Sequence, residues 1–119
     1  LNDEKSADDP EFYKFGEILE KTQRLIHKLN TEEHTQKEIQ EILAKITGKP
    51  IDDSVHVLLP FYADFGQHIT IGKNVFINMG CTFVDKGGLT IEDDVLIGPQ
   101  VKILTVNHPI DPKKKRQFI

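Results

Sequence analysis

The sequence predicts a mainly β fold, a parallel β-helix of triangular cross-section, and three observations predict it. Between Ile69 and His108, aliphatic or aromatic residues recur at a six-residue step: Ile71, Ile77, Phe83 and then, after a two-residue slip, Ile91, Ile97 and Ile103. A second apolar set stands four residues after most of these, at Val75, Cys81, Val95 and Val101. Glycine follows the first residue of two repeats, at Gly72 and Gly98. Neither the 3.6-residue period of a helix nor the alternation of a hairpin produces such a step. Hexapeptide coils do: each unit makes one flat face, and three units complete a turn of the prism. The first residue of each unit points into the axis. The small residue after it is expected to pass the corner in a left-handed conformation, which costs little without Cβ.

Length and composition bound the rest. With 119 residues, 38% hydrophobic and 29% charged, the chain reads as one main globular domain with a small extension. A net charge of −4 argues against a general nucleic-acid role. Cys81 is the one cysteine and falls at an inward repeat position, which excludes a disulfide framework and favours a reducing, cytoplasmic setting. No apolar run has membrane-spanning length, and no signal peptide is visible. The single methionine is Met79, so the chain is expected to be a fragment or a processed product.

Two amphipathic helices are expected before the prism, so residues 9–48 read as a helical segment and 51–119 as the β-helix. Asp9-Pro10 reads as N-cap and first turn, with Phe12, Phe15, Leu19, Ile26 and Leu29 as one apolar stripe. Asn30 is expected to end this helix and Thr31 to cap the next, whose apolar face carries Ile39, Ile42, Leu43 and Ile46 before Gly48 and Pro50 stop it. Neither helix can bury its stripe alone, so both should pack on the prism or a neighbouring subunit. The first faces fall in VHVLLP, whereas PFYADFG lacks the clean repeat. Lys86-Gly87-Gly88 in the slip reads as a turn or small bulge at a corner. NHPIDPKKKRQFI breaks the period, and its basic run, Lys113 to Arg116, reads as a solvated loop. The repeats up to Ile103 make about three turns, the lower limit for a solenoid, with an open edge at the end. A longer natural chain with further repeats is therefore expected.

At PFYADFG…ITIGKNVFINMGCTFVD…LTIEDDVLIGPQVKILTVNHPIDP the sequence resembles the maltose and galactoside O-acetyltransferases, which are hexapeptide-repeat acyltransferases. DPEFYKFGEILEKTQRLIHKLN is similar to the small helical domain that precedes the prism in that family. The resemblance implies a left-handed coil, acetyl-CoA as co-substrate, a small-molecule sugar acceptor and a homotrimer with active sites between adjacent prisms. It places His108 of TVNHP at the catalytic histidine, Asn78 of FINMG at a pocket asparagine, and Asp64 and Asp85 at acceptor-site positions. Lys86 stands where some members carry a second acidic residue that contacts the sugar, which puts the acceptor's identity in question. The family's coenzyme site is built mostly by later repeats, so no coenzyme-binding residue is assigned here.

The expected activity is transfer of acetyl from acetyl-CoA to a sugar hydroxyl, with His108 as general base. Read without the resemblance, His108 beside Pro109 is a turn histidine. The alternative is a truncated, catalytically incompetent fragment that keeps only fold and self-association. The other histidines read as structural: His27 and His34 solvated on helices, His56 and His68 in extended segments. They lack the closely spaced pair that a zinc site of three histidines requires on this fold. Glu92, Asp93 and Asp94 read as a solvated corner, so no metal site is expected.

Overall fold

The computed structural model describes residues 10–106. Two helices, α1 (Pro10–Thr31) and α2 (Gln36–Thr47), lead into eight short strands. These are β1 (His56–Val57), β2 (Phe61–Ala63), β3 (Ile69–Ile71), β4 (Phe76–Ile77), β5 (Cys81–Val84), β6 (Leu89–Ile91), β7 (Leu96–Ile97) and β8 (Lys102–Leu104). They form three parallel sheets in the orders β1-β4-β7, β2-β5-β8 and β3-β6. Every pairing joins residues twenty positions apart, as in His56 with Phe76 and Ile69 with Leu89, so the chain coils with a constant turn and stacks each face on the last.

The inward positions follow the expected repeat. Val75, Ile77, Cys81, Phe83, Ile91 and Ile97 are buried, and Ile71, Val95, Val101 and Ile103 pack against them. The two-residue slip, however, is no isolated bulge. Eight residues separate Ala63 from Ile71 just as eight separate Phe83 from Ile91, and these positions pair across turns. Every complete turn thus has two ordinary corners and one extended corner, at residues 64–68 and 84–88. PFYADFG belongs to the repeat after all: Phe61 and Ala63 stack on Cys81 and Phe83.

The glycine expectation is also corrected. Left-handed backbone occurs at Asn74, Asp94 and Gln100 and at Gly66, Gly80 and Gly88 around the corners, and not at Gly72 or Gly98. Gly72 is small for another reason: a Cβ there would meet Asp93 Oδ1 and lie 2.8 Å from the Asp93 backbone nitrogen in the next turn. Asparagine and aspartate tolerate the left-handed region through local hydrogen bonding. Asn74 does so in a column, taking its N–H to Ser54 Oγ (2.6 Å) and its Nδ2 to Asp94 Oδ1 (2.8 Å).

The helices close the first turn. Ile26, Leu29, Ile39, Ile42, Leu43 and Ile46 share one continuous core with Val55, Val57, Phe61 and Ile69. Thr35, and not Thr31, caps α2: its hydroxyl accepts the Glu38 N–H (3.1 Å) and Glu38 Oε1 accepts the Thr35 N–H (2.9 Å). This is a capping box. Thr31 ends α1 with its hydroxyl on the His27 carbonyl (2.7 Å), and the predicted cap at Asp9 lies outside the described residues.

Side chains from this helical segment replace the strand that the first turn lacks. The Asn30 amide, expected to terminate a helix, accepts the Phe61 N–H at 3.0 Å and donates to the Phe61 carbonyl at 2.9 Å. Gln36 repeats the pattern on Val57, at 3.0 and 2.8 Å. Gln40 donates to the Val55 carbonyl, Gln23 to Ala63, and Lys49 Nζ to Gln67 (2.7 Å) and Ile69 (2.9 Å). A primary amide offers one donor face and one acceptor face, the pair that a neighbouring strand residue would present. All three faces therefore have covered lower edges, which removes the hazard of an open parallel sheet at this end of the coil.

Candidate active site

The extended corner gathers the carboxylates. Asp64 leaves the end of β2, and its Oδ1 accepts the N–H groups of Phe65 (2.6 Å) and Asp85 (3.0 Å). Asp85, one turn on, is fully buried. Its Oδ1 accepts the N–H groups of Phe65 (3.1 Å) and Gly66 (2.9 Å), and its Oδ2 accepts that of His68 (3.0 Å). Burial pushes the Asp85 carboxyl above its ordinary range; the Gly66 N–H pulls it back, the neighbouring Asp64 carboxyl raises it further, and the His68 and Phe65 N–H groups lower it. Gly66 makes the corner possible, because its φ is +85° and a Cβ would fall 2.7 Å from Ile46 Cγ2 of α2.

The sequence-predicted residues separate into two groups. Asp64 and Asp85 come together, with Asp64 half-exposed and Asp85 turned inward onto backbone. Asp85 thus holds the corner on which Asp64 and His68 stand. Asn78 lies elsewhere, at the ordinary corner between β4 and β5, where its Oδ1 accepts the Met79 N–H (2.8 Å) and its own N–H meets the Ile97 carbonyl (3.0 Å). Strand β5 runs between the two corners, a separation of roughly 15–20 Å at strand rise. One small acyl group cannot touch both corners of a single prism. His108 lies outside the described residues.

Other residues resolve as follows. Cys81 is buried, with Sγ on the Gly98 carbonyl (3.1 Å). His34 is not solvated as expected: its side chain is only 6% exposed, between Glu32 and Glu38. His56 stacks on Phe76. Of the acidic run, Asp93 accepts the Lys73 N–H (2.7 Å) and Asp94 the Asn74 amide, so two of its three carboxylates are engaged in corner hydrogen bonds. An open depression of about 530 Å³ beside Ile51, Asp53 and Lys73 contains none of the predicted site residues. No described helix is long and apolar enough to cross a membrane.

No protein-family model matches the chain. It is 32% identical over 94 residues to the galactoside O-acetyltransferase of Lactococcus lactis, covering 78% of this chain and 45% of that one. The structure of a hexapeptide-repeat acetyltransferase from Vibrio cholerae superimposes with a TM-score of 0.73 at 28% identity, over 88% of this chain and 58% of that one. A maltose O-acetyltransferase from Clostridium difficile gives 0.71 at 28% identity, over 88% and 56%. The chain spans about a third to a half of the length of the curated relatives it matches, and somewhat more than half of the two solved structures. Fold and sequence together place the chain in the hexapeptide-repeat acyltransferase class. Within that class, the chain belongs to the family of the maltose and galactoside O-acetyltransferases.

Proposed function

We propose that this chain contributes to acetyl transfer from acetyl-CoA to a sugar hydroxyl, with His108 as general base. The observation that carries the reading is the likeness in both sequence and coil to acetyltransferases, one of which, from Vibrio cholerae, was also crystallised with acetyl-CoA. In this reading the coil is left-handed, residues 51–119 form the catalytic prism and residues 9–48 its cap. His108 takes the hydroxyl proton as the sugar oxygen attacks the thioester carbonyl. The tetrahedral oxyanion then collapses, the C–S bond breaks, and the protonated histidine returns its proton to the leaving thiolate. Val106, the last described residue before it, passes directly over Gly87 of the extended corner.

Asp64 accepts a hydroxyl of the acceptor, and Asp85 acts beneath it by fixing the corner. Asn78, a face away, serves the site of a neighbouring prism. This supports a homotrimer with sites between subunits, in a cytoplasmic, reducing setting that suits the free thiol of Cys81. The first test is calorimetry of acetyl-CoA with this chain, followed by acetyl transfer to maltose and a simple galactoside. Binding and transfer are expected, and His108→Ala should lower turnover about 10²–10⁴-fold while leaving the assembly intact. Absence of acetyl-CoA binding would overturn activity in this chain, and full turnover by the alanine variant would remove His108 as the base.

A further inference from the structure

We infer that His68 is an additional substrate-binding residue, a histidine held in one tautomer that offers Nε2 as an acceptor to a hydroxyl of the sugar. The inference rests on the acetyl-transfer reading above. His68 Nδ1 lies 2.8 Å from the Lys86 carbonyl oxygen. A carbonyl can only accept, so Nδ1 carries the proton; with that tautomer, the neutral form of the ring has its lone pair on Nε2. Such fixing of one ring nitrogen by a backbone carbonyl is how proteins aim the other at a ligand.

The surroundings hold the ring still without covering it. It packs on Phe65 with centroids 4.5 Å apart, and Phe65 stacks on Phe15 of α1 at 5.0 Å and 10°. Lys86 Nζ sits 4.7 Å from the centroid of the same Phe15 ring, which ties the corner to the helix. The His68 N–H is held by Asp85 Oδ2, and the other oxygen of that carboxylate holds Phe65 and Gly66. His68 and Asp64 are therefore positioned relative to each other by one buried group. Yet His68 remains exposed, in contrast to His34, whose two nitrogens face Glu38, Glu32 and the Lys28 carbonyl. Two acceptors on one corner, Nε2 of the exposed His68 and the remaining carboxylate oxygen of the half-exposed Asp64, suit a ligand that presents two hydroxyl donors. A sugar with neighbouring free hydroxyls is the class that fits.

The replacements His68→Asn and His68→Gln separate binding from scaffolding. Asparagine keeps a donor near the Lys86 carbonyl and loses the distal acceptor, whereas glutamine restores an oxygen near the Nε2 position. His68→Asn is expected to raise the acceptor KM about tenfold, the loss of one hydrogen bond of ordinary strength. The KM for acetyl-CoA and kcat should change less than about twofold, the magnitude of a bystander, and His68→Gln should recover most of the loss. An unchanged acceptor KM, or a loss confined to kcat, would overturn the assignment. Long-range proton–nitrogen NMR of the wild-type chain gives a reading that needs no turnover. The Nδ1–H tautomer and a shift of Nε2 on adding maltose or a galactoside are expected; the opposite tautomer, or no shift, would overturn it. If sugar moves Nε2 while no acetyl transfer occurs, the subsite stands and the acetyl-transfer reading falls. If transfer proceeds and His68→Asn is indistinguishable from wild type, the reverse holds.

Discussion

Gly72 and Gly98 occupy equivalent places in their repeats, yet they answer to different constraints. The neighbouring turn presses on Gly72 through Asp93, whereas nothing among the described residues lies within 4 Å of a Cβ on Gly98. Gly72→Ala should therefore cost about 1–3 kcal/mol, as overpacking does, and Gly98→Ala less than about 0.5 kcal/mol, in parallel urea titrations. Equal costs would show that the Asp93 contact is not what keeps Gly72 small. Asp85 supplies a second test. Its carboxyl is raised above the unfolded value of 3.8, so over that window the native state holds a proton that the unfolded chain has released. The stabilisation is complete below pH 3.8 and is lost as pH rises through the raised value. Denaturation at a series of pH values should show this decline in the wild type and a flatter profile in Asp85→Asn. Parallel profiles would place the titrating charge elsewhere.

At the scale of elements, the helical segment is the lower cap of a sheet stack. The buried part of its apolar stripe, Ile26 and Leu29 with the face of α2, was legible in the sequence because burial follows the helical period; Phe12, expected in the same stripe, is exposed. The amide contacts were not, because Gln23, Asn30, Gln36 and Gln40 look like any surface amides until three strand edges lie opposite them. In hindsight Asn30, seven residues after Gln23, lies on the same side of α1 as the core residues Ile26 and Leu29, which was a usable signal. Replacing Asn30 or Gln36 with Leu should cost about 1–3 kcal/mol each, through unpaired backbone groups. The double variant should also aggregate by light scattering as the edges of β1 and β2 open. A soluble, fully stable double variant would mean that apolar packing alone secures the cap. The extended corner was half legible. The slip after Phe83 was visible, but its twin after Ala63 was hidden, since in register FYADFG lies on CTFVDK and the two agree at no position.

At the scale of the molecule, the triangular coil spreads its chemistry over separate corners. A face lies between Asn78 and the pair Asp64 and Asp85, so under the proposed reading a complete site draws corners from two prisms. If the acetyl-transfer reading holds, specific activity in the assay above should fall on dilution as mass in solution falls from trimer to monomer. Activity that persists in a monomer would require Asn78 to act outside the site.

The sequence alone determined the coil, its inward residues and its family, because a solenoid repeats one burial constraint and so writes its period into the chain. It also marked Asp64, Asn78, Asp85 and His108 through motif order. The tertiary structure decided what each group faces among the described residues. It turned Asp85 inward onto three backbone N–H groups, set His68 on the Lys86 carbonyl, and converted helix amides into strand-edge partners. Those outcomes depend on contacts between residues about twenty to forty positions apart, which no local pattern records.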